Sequence, residues 1–329
     1  MCADCAQVKL IFRMMDNLTL RSNPVEGPRN GADGSMKAAT FEYVRPTHID
    51  EVVSELARAG TDARIIAGGQ SLVPMMAMRL VRPELLVDIN HVSELTGIGK
   101  NNDSVCVRAA TRQADAGRSE IIARVVPMLA AAVPFIGHNQ TRNRGTIGGS
   151  LAHGDPTAEV LLVAMALGVT LDLRSEKGER SVNIKDFAVA PMETVMEEDE
   201  CLVAARFQPA PTDLRVTAVV EEVAPRAGDY AILSVSAEIG LDLGGFCRHL
   251  RLGVSGATPV PFRPHMVEIA LADSLLADDE VDDAVHLIDP VLDPESDVQA
   301  SAAYRRRVAP GLLGRAIRTA RDRAVVSLV

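Results

Sequence analysis

Two segments with adjacent glycines followed by a serine, at residues 67–72 and 146–150, limit the folds open to this chain of 329 residues. The first segment, Ala67-Gly68-Gly69-Gln70-Ser71-Leu72, directly follows a short apolar stretch that predicts a buried strand. Adjacent glycines can adopt positive φ and leave no side chain between the backbone and a ligand. Successive backbone N–H groups in such a turn form a concave site for phosphate oxygens, and Ser71 adds a hydroxyl donor.

The second segment has the same chemistry, because Thr146 and Ile147 precede Gly148-Gly149-Ser150. One such segment usually marks only a turn, whereas two of matching chemistry suggest two phosphates and hence a dinucleotide. Neither segment fits G-x-G-x-x-G at the start of a helix or G-x-x-x-x-G-K-S/T. The sequence therefore argues against a Rossmann NAD domain and against a nucleoside triphosphatase.

Charge, hydropathy and cysteine usage exclude several other classes of protein. The formal net charge is −10, which repels nucleic-acid phosphates, and no basic patch with interleaved aromatics offsets it. No apolar run reaches the roughly 18 residues that a membrane span needs. The five cysteines are scattered, and no second pair follows Cys2 and Cys5 to complete a four-cysteine metal site. We therefore expect no nucleic acid, no membrane span and no metal in this chain, and reduced thiols in the cytoplasm.

The first two thirds of the chain read as a tail followed by alternating helices and strands. Residues 1–35 are predicted to be a disordered or non-native N-terminal tail, with a short docking arm for a partner as the alternative. Thr47 is the predicted N-cap of a helix that ends at Gly60, with Asp50 at the capping-box position. Further strands are predicted over residues 63–67, 85–89, 104–109, 169–173 and 201–207, and a helix over residues 112–129.

The pattern changes from about residue 213. Strand-like stretches at residues 216–220, 231–239 and 249–254 come first, and two helical segments follow, of which the last is strongly basic. An acidic stretch, residues 278–297, lies between the helical segments. Acidic and basic stretches this close are most simply solvated faces that pair with one another or with a partner subunit.

Polar residues near the second glycine segment are further candidates for ligand contacts. His153 lies three residues beyond Ser150 and could approach a bound cofactor, although a structural or surface histidine is the commoner case. Asp155 and Glu159 could accept hydrogen bonds from ribose or ribityl hydroxyls, and Asp155 could equally cap a helix that opens at Pro156. The histidines form no H-E-x-x-H motif and no i, i+4 pair, so the sequence assigns no catalytic residue.

Both glycine segments resemble the flavin motifs of a known family, the FAD-binding medium subunits of molybdenum hydroxylases such as xanthine dehydrogenase and carbon monoxide dehydrogenase. Residues 67–72, followed by Pro74-Met75-Met76 and Arg79-Leu80, resemble the first motif. Residues 140–153 are similar to the second; they read Gln140-Thr141-Arg142-Asn143-Arg144-Gly145-Thr146-Ile147-Gly148-Gly149-Ser150-Leu151-Ala152-His153. Gly228-Asp229-Tyr230-Ala231 and Tyr304-Arg305-Arg306 are similar to further signatures, and the resemblance covers about residues 36–322.

The resemblance implies an α+β fold. It implies an FAD-binding region of two α/β subdomains, of the vanillyl-alcohol oxidase or PCMH type, over residues 36–210. A smaller α+β domain, similar to the C-terminal domain of the carbon monoxide dehydrogenase flavoprotein, would then cover residues 213–322.

The resemblance also implies a function and partners. FAD would carry electrons from the [2Fe-2S] clusters of a small iron–sulfur subunit to an external acceptor, and a large subunit would hold the molybdopterin cofactor. The subunits would form a dimer of heterotrimers. The substrate and the final acceptor stay open. A stand-alone flavin-dependent oxidoreductase of the same fold is the alternative, and a scaffold that has lost its flavin is a third hypothesis.

From their positions in the family's motifs, the resemblance implies that the two glycine segments hold the diphosphate and part of the flavin. Arg64 lies near the same phosphates, and Glu159 stands where the family usually has an Asp that contacts the cofactor. Glu221 and Glu222 stand near a place where relatives often carry a Lys facing the flavin, and two carboxylates there would disfavour its anionic reduced form. The predicted cofactor-binding residues are Arg64, Ala67, Gly68, Gly69, Gln70, Ser71, Leu72, Thr146, Ile147, Gly148, Gly149, Ser150, Asp155 and Glu159.

Overall fold

The computed structural model describes residues 37–100 and 103–326, and the tail predicted at residues 1–35 lies outside them. The described strands are β1 (Glu42–Val44), β2 (Ala63–Ile66), β3 (Leu85–Asp88), β4 (Ile98–Lys100), β5 (Val105–Arg108), β6 (Thr170–Ser175), β7 (Gly178–Asn183), β8 (Ala188–Ala190), β9 (Glu193–Thr194), β10 (Cys201–Phe207), β11 (Arg215–Val223), β12 (Leu233–Leu241) and β13 (Cys247–Ser255). The described α-helices are α1 (Ile49–Ala59), α2 (Leu72–Ala77), α3 (Gln113–Arg118), α4 (Glu120–Val125), α5 (Pro127–Ala132), α6 (Asn139–Arg144), α7 (Ile147–His153), α8 (Glu159–Leu167), α9 (Ile184–Phe187), α10 (His265–Ala270), α11 (Asp278–Val285) and α12 (Ala302–Val326).

The first subdomain is a parallel sheet in the order β1-β3-β2, which packs against α1. The helix forms because apolar side chains recur at its helical spacing and fall on one buried face. That face consists of Ile49, Val52, Val53 and Leu56. The helix ends at Gly60, as the sequence predicts, where φ is 55°.

The predicted N-cap of α1 is wrong by one residue. His48 is the N-cap, so Glu51 and not Asp50 occupies the capping-box position. The Thr47 N–H donates to Glu51 Oε2 at 2.8 Å, which orders the chain before the helix without using the Thr47 side chain as a cap. Asp50 instead pairs with Arg174 on β6.

The second subdomain is an antiparallel sheet in the order β4-β5-β10-β6-β7. Its core contains α8, in which residues 160–167 are all buried. A helix that is apolar on every side must be enclosed by other elements, and here the sheet of the C-terminal domain supplies part of the cover. Gly168, with a φ of 64°, ends the helix in the left-handed conformation.

The single helix predicted over residues 112–129 is wrong, because three short helices, α3, α4 and α5, occupy this stretch. The Ser119 side chain accepts a hydrogen bond from the Ile122 N–H at 3.3 Å and starts α4 anew. Val126 leaves the helical conformation before Pro127, which is the first residue of α5.

The C-terminal domain is an antiparallel sheet in the order β11-β12-β13. One face packs against α12, and the other faces α5 and α8 of the second subdomain. Arg318 and Arg321 of α12 contact Asp278 of α11 at 3.3 Å and 2.8 Å, so the acidic and basic stretches do pair with one another. The predicted α+β class is confirmed. In the described ranges, no helix is long and apolar enough to cross a membrane.

Candidate cofactor site

The two glycine segments meet at one place in the structure. Residues 67–69 follow β2, and residues 145–149 span the start of α7. A Cβ on Gly68 would overlap the backbone carbonyl of Arg144, so the first segment lies directly against the chain that enters the second. Gly69 has a φ of 71°, a conformation that L side chains rarely adopt. The two segments therefore form one continuous backbone surface.

A cleft of about 1120 Å³ opens along this surface. All the predicted site residues except Ile147 line it, namely Arg64, Ala67, Gly68, Gly69, Gln70, Ser71, Leu72, Thr146, Gly148, Gly149, Ser150, Asp155 and Glu159. The Ile147 side chain is fully buried in the hydrophobic core, so the structure does not bring it to the cleft. His153 also lines the cleft, from the last position of α7.

The second segment is the N-terminal end of α7. Thr146 is the N-cap of this helix, and its hydroxyl accepts a hydrogen bond from the Gly149 N–H at 3.0 Å. Gly148 is required for packing between protein segments, because a Cβ there would overlap Ala109 directly after β5. The two glycines therefore have different roles. Gly148 allows α7 to pack closely against the residue that follows β5, and Gly149 donates its N–H to the Thr146 cap.

Arg112 and Asn90 connect the two segments through a chain of hydrogen bonds. Arg112 donates through Nη1 to the Arg144 carbonyl and through Nη2 to Asn90 Oδ1, the latter at 2.6 Å. Asn90 Nδ2 in turn donates to the Ala67 carbonyl at 2.8 Å. We call this connection the Arg112–Asn90 brace. It holds main-chain atoms of both walls of the cleft.

The sequence interpretation missed both residues of the brace. A signal existed for Asn90, which follows β3, because residues after neighbouring parallel strands gather at one edge of a sheet. Arg112 carried no comparable signal. Its partner Arg144 stands 32 positions away along the chain.

One end of the cleft is acidic. Asp155 Oδ1 accepts hydrogen bonds from the Thr157 N–H and hydroxyl, both at 2.8 Å. The proposed cap of a helix at Pro156 is wrong, because α8 begins at Glu159. Burial raises the pKa of Glu159 to about 7, with Asp155 adding to the rise and Arg142 opposing it.

Glu221 and Glu222 point to opposite sides of the C-terminal sheet, as neighbours on a strand must. Glu221 pairs with Arg315 on α12, on the side away from the second subdomain. Burial, with a contribution from the nearby Glu159, raises the pKa of Glu222 to about 8. One carboxyl, and not the expected two, therefore stands close to the acidic end of the cleft.

Tyr230 lies at the same, acidic end of the cleft. Its side chain lines the cleft and is 68% exposed, unusual for a large aromatic ring. Gly228 allows this placement, because a Cβ there would lie 2.7 Å from the His138 ring. Although the residue is mostly exposed, partial desolvation beside the cleft, followed by the carboxylates of Asp155 and Glu159, raises the pKa of Tyr230. This explains the local role of the predicted signature at residues 228–231, although Tyr230 was not among the predicted site residues.

Comparison with known proteins identifies the family. The family described as "FAD binding domain in molybdopterin dehydrogenase" matches residues 39–208, and the "CO dehydrogenase flavoprotein C-terminal domain" matches residues 218–320. The 6-hydroxypseudooxynicotine dehydrogenase complex subunit alpha of Paenarthrobacter nicotinovorans is 37% identical over 289 residues, which are 88% of this chain and 97% of the relative. The carbon monoxide dehydrogenase medium chain of Afipia carboxidovorans is 32% identical over 289 residues, 88% of this chain and 99% of the relative. The chain is a member of the FAD-binding medium subunits of the molybdenum hydroxylase family.

Solved structures agree with this membership. Quinoline 2-oxidoreductase from Pseudomonas putida 86 superposes on the medium subunit with a TM-score of 0.82 at 34% identity, over 88% of this chain and 99% of that one. Carbon monoxide dehydrogenase from Hydrogenophaga pseudoflava gives a TM-score of 0.82 at 31% identity, over 86% and 98%. The predicted family and the predicted cofactor, FAD, are confirmed.

The residues of this medium subunit fit FAD. The cleft volume of about 1120 Å³ lies above the roughly 300–1,000 Å³ of ordinary small-molecule pockets, as a dinucleotide requires. The first glycine segment and Ser71 present main-chain and hydroxyl groups to the cleft without bulky side chains between. The Tyr230 ring offers an aromatic surface at the acidic end.

Proposed function

We propose that this medium subunit is an electron-transfer subunit. It receives electrons from [2Fe-2S] clusters of a small partner subunit and passes them to an external acceptor, while a large partner subunit holds the molybdopterin cofactor. The observation that carries the proposal is the junction of the two glycine segments, which gives one cleft with two backbone walls. Bound FAD supplies the capacity to take up and release electrons singly or in pairs.

The residues of the chain hold the cofactor in this proposal. The backbone at residues 67–71 and 146–150 would bind the diphosphate and part of the flavin. Arg64 lies on the same wall, where its Nη1 donates to the carbonyls of Thr61 and Ala63 at 2.8 Å and 2.7 Å. Asp155 and Glu159 would accept hydrogen bonds from hydroxyl groups at the other end.

The proposed assembly is a dimer of heterotrimers in the cytoplasm. One relative is named as a subunit of a dehydrogenase complex and another as the medium chain of a dehydrogenase, which supports the presence of partners. Cys106, Cys201 and Cys247 are free thiols, which supports a reducing compartment. We also propose the domain limits 36–210 and 213–322, within which both family matches fall.

The test is the visible absorption spectrum of the purified chain, with the released cofactor identified after denaturation. We expect FAD and no iron–sulfur bands. Expression together with its genetic neighbours should then yield a complex that contains molybdenum and iron. A chain that lacks flavin and also fails to bind added FAD would contradict the cofactor role, and a chain that oxidises substrate alone would favour the stand-alone oxidoreductase.

A further inference from the structure

Buried polar atoms without partners form a row on one face of the C-terminal sheet. Among the described residues, Glu222 Oε1, Ser234 Oγ, Ser236 Oγ and Glu238 Oε2 have no hydrogen-bond partner. Glu222 stands directly opposite Ser234 across the β11–β12 pair, so both point to the same face. Ser234, Ser236 and Glu238 alternate along β12 and therefore share that face as well. We call these four residues the polar row.

The polar row joins two different environments. At one end, Glu222 lies near Glu159, which lines the cofactor cleft. At the other end, Glu238 Oε1 lies 2.9 Å from His249 Nε2, and the His249 side chain is 13% exposed. The row therefore extends from the cleft, between the sheet and α8, to the protein surface.

The middle of the row is fully enclosed. Ser234 and Ser236 are 0% exposed and Glu238 is 2% exposed. Leaving such groups without hydrogen bonds is unfavourable, and buried water is the usual partner. Residues two apart on a strand are separated by about 6.5–7 Å, whereas one water with a hydrogen bond of about 2.8 Å on each side spans at most about 5.6 Å. A link between two such residues therefore takes one water between side chains that lean toward each other, or two waters.

We infer that bound water molecules bridge the polar row and that the bridged row conducts protons between solvent at His249 and the carboxyls of Glu159 and Glu222. Hydroxyl groups and water both donate and accept, so each link can pass a proton onward. A proton taken up by His249 moves to Glu238, and protons then shift along Ser236 and Ser234 to Glu222. The net change is one proton moved from solvent to a carboxylate, with no electron exchanged.

Charged groups on the neighbouring elements lie at both ends of the polar row. Asp155, Arg142 and Tyr230 interact electrostatically with Glu159. Arg251 stands opposite Glu238 on β13 and interacts in turn with Arg263 and Glu268. Burial and the nearby Glu159 raise the pKa of Glu222 to about 8, which allows this carboxyl to hold a proton near neutral pH.

The purpose of this proton path, which is to supply protons for flavin reduction, rests on the proposed function. Electrons from iron–sulfur clusters would arrive without protons, whereas FAD reduced by two electrons to FADH₂ would also need two protons. A path from the surface to Glu159, which lines the cleft, would deliver protons into the cleft that holds FAD.

The test follows the protonation of Glu222 in the full-length chain by time-resolved infrared spectroscopy after a pH jump. The carboxylic C=O band is assigned by its loss in Glu222→Gln. We expect Glu238→Gln, His249→Gln and the double variant Ser234→Ala/Ser236→Ala to slow protonation by about tenfold or more, because a positioned proton carrier typically speeds transfer by about 10²–10⁴-fold.

Ser255→Ala is the matched control. Ser255 is buried, stands opposite Ser234 on β13, and donates its hydroxyl to the Pro156 carbonyl. Because that hydroxyl already has a partner, its loss should leave the rate unchanged.

Wild-type rates in Glu238→Gln and His249→Gln would overturn the inference even if the double serine variant did not fold. A high-resolution crystal structure in which the Ser236 hydroxyl packs without water would also overturn it. The experiment requires neither FAD nor partner subunits. A chain that binds no flavin but loses rapid protonation in Glu238→Gln would therefore reject the proposed function and retain the polar row.

Discussion

Glu222 holds its proton at pH values where a surface carboxyl is ionised. Burial, followed by the charge of Glu159, raises its pKa from 4.5 to about 8 on folding. The native state therefore binds more protons than the unfolded state between these two values. Ionisation of Glu222 consequently lowers the free energy of unfolding as the pH rises through this window.

Replacing Glu222 with Gln should remove this dependence. At about pH 9 we expect Glu222→Gln to be more stable than wild type by roughly 1–3 kcal/mol, a range that allows for partial solvent contact, and at about pH 5 the gain should be small. Urea denaturation at both pH values measures it. Glu221→Gln is the control, because Glu221 pairs with Arg315 and should give no gain at either pH. An equal gain at both pH values would reject ionisation as its cause.

Gly149 should be essential for flavin retention. A Cβ there would lie 2.7 Å from the Thr146 hydroxyl, which caps α7, and the larger Val side chain would extend further. We expect Gly149→Val to lose most of its FAD during gel filtration, measured by absorbance. Gly99→Val is the control, because in the described part of the chain no atom beyond Gly99 and its two chain neighbours lies within 4 Å of a Cβ at Gly99. A fully loaded Gly149→Val protein would refute the placement of the cofactor on the second segment.

At the level of elements, the sequence predicted those helices and strands whose formation depends on neighbouring residues. The apolar spacing of α1 and the apolar run of β10 depend on neighbouring residues; β10 lies where predicted, and α1 begins one residue later than predicted. The break of residues 112–129 into three helices depends on Ser119 and on the Val126–Pro127 pair, which a periodicity argument overlooks. The Arg112–Asn90 brace depends on contacts between distant segments, and only the place of Asn90 after β3 gave a sequence signal for it.

The brace should preorganise both walls of the cleft. Asn90→Ala removes the donor to the Ala67 carbonyl and leaves the Arg112 guanidinium without one acceptor. We expect FAD affinity to fall by about tenfold, since a hydrogen bond to a charged group contributes about 1.5–3 kcal/mol. Isothermal titration of the apoprotein with FAD measures the change.

Asn183→Ala provides the comparison for the brace. Asn183 caps α9 through the Lys185 N–H, and it is not among the cleft-lining residues. This variant should lower stability without changing FAD affinity. Equal affinities for Asn90→Ala and wild type would show that the walls keep their positions without the brace.

At the level of the whole molecule, a buried arginine connects the last helix to the C-terminal sheet. Arg305 of α12 donates to the carbonyl of Ile232, to that of Gly256 at 3.2 Å, and to Asp297 Oδ2 at 2.6 Å. It belongs to the predicted signature at residues 304–306, whose sequence gave no indication of this role. The guanidinium suits three acceptors because its donors are fixed in one plane.

Arg305→Lys should destabilise the chain, because one ammonium cannot reach all three acceptors in this arrangement. We expect the free energy of unfolding to fall by about 2–4 kcal/mol. Thermal and urea denaturation measure it. Arg307→Lys, at an exposed position on the same helix, should stay within about 0.5 kcal/mol of wild type. Similar stabilities for the two variants would contradict the role assigned to Arg305.

The contact of Gly68 with the Arg144 carbonyl determines how the cleft can open. Main-chain atoms of the two segments meet at that point, so the picosecond-to-nanosecond motion of side chains does not separate them. We therefore expect any opening at this point to need a collective movement of the two subdomains, on a timescale of about microseconds to milliseconds. The rate of cofactor exchange should consequently be limited by the rate of that collective motion. Substitutions on the rim would then alter how strongly the cofactor is held, while the frequency of opening stays the same.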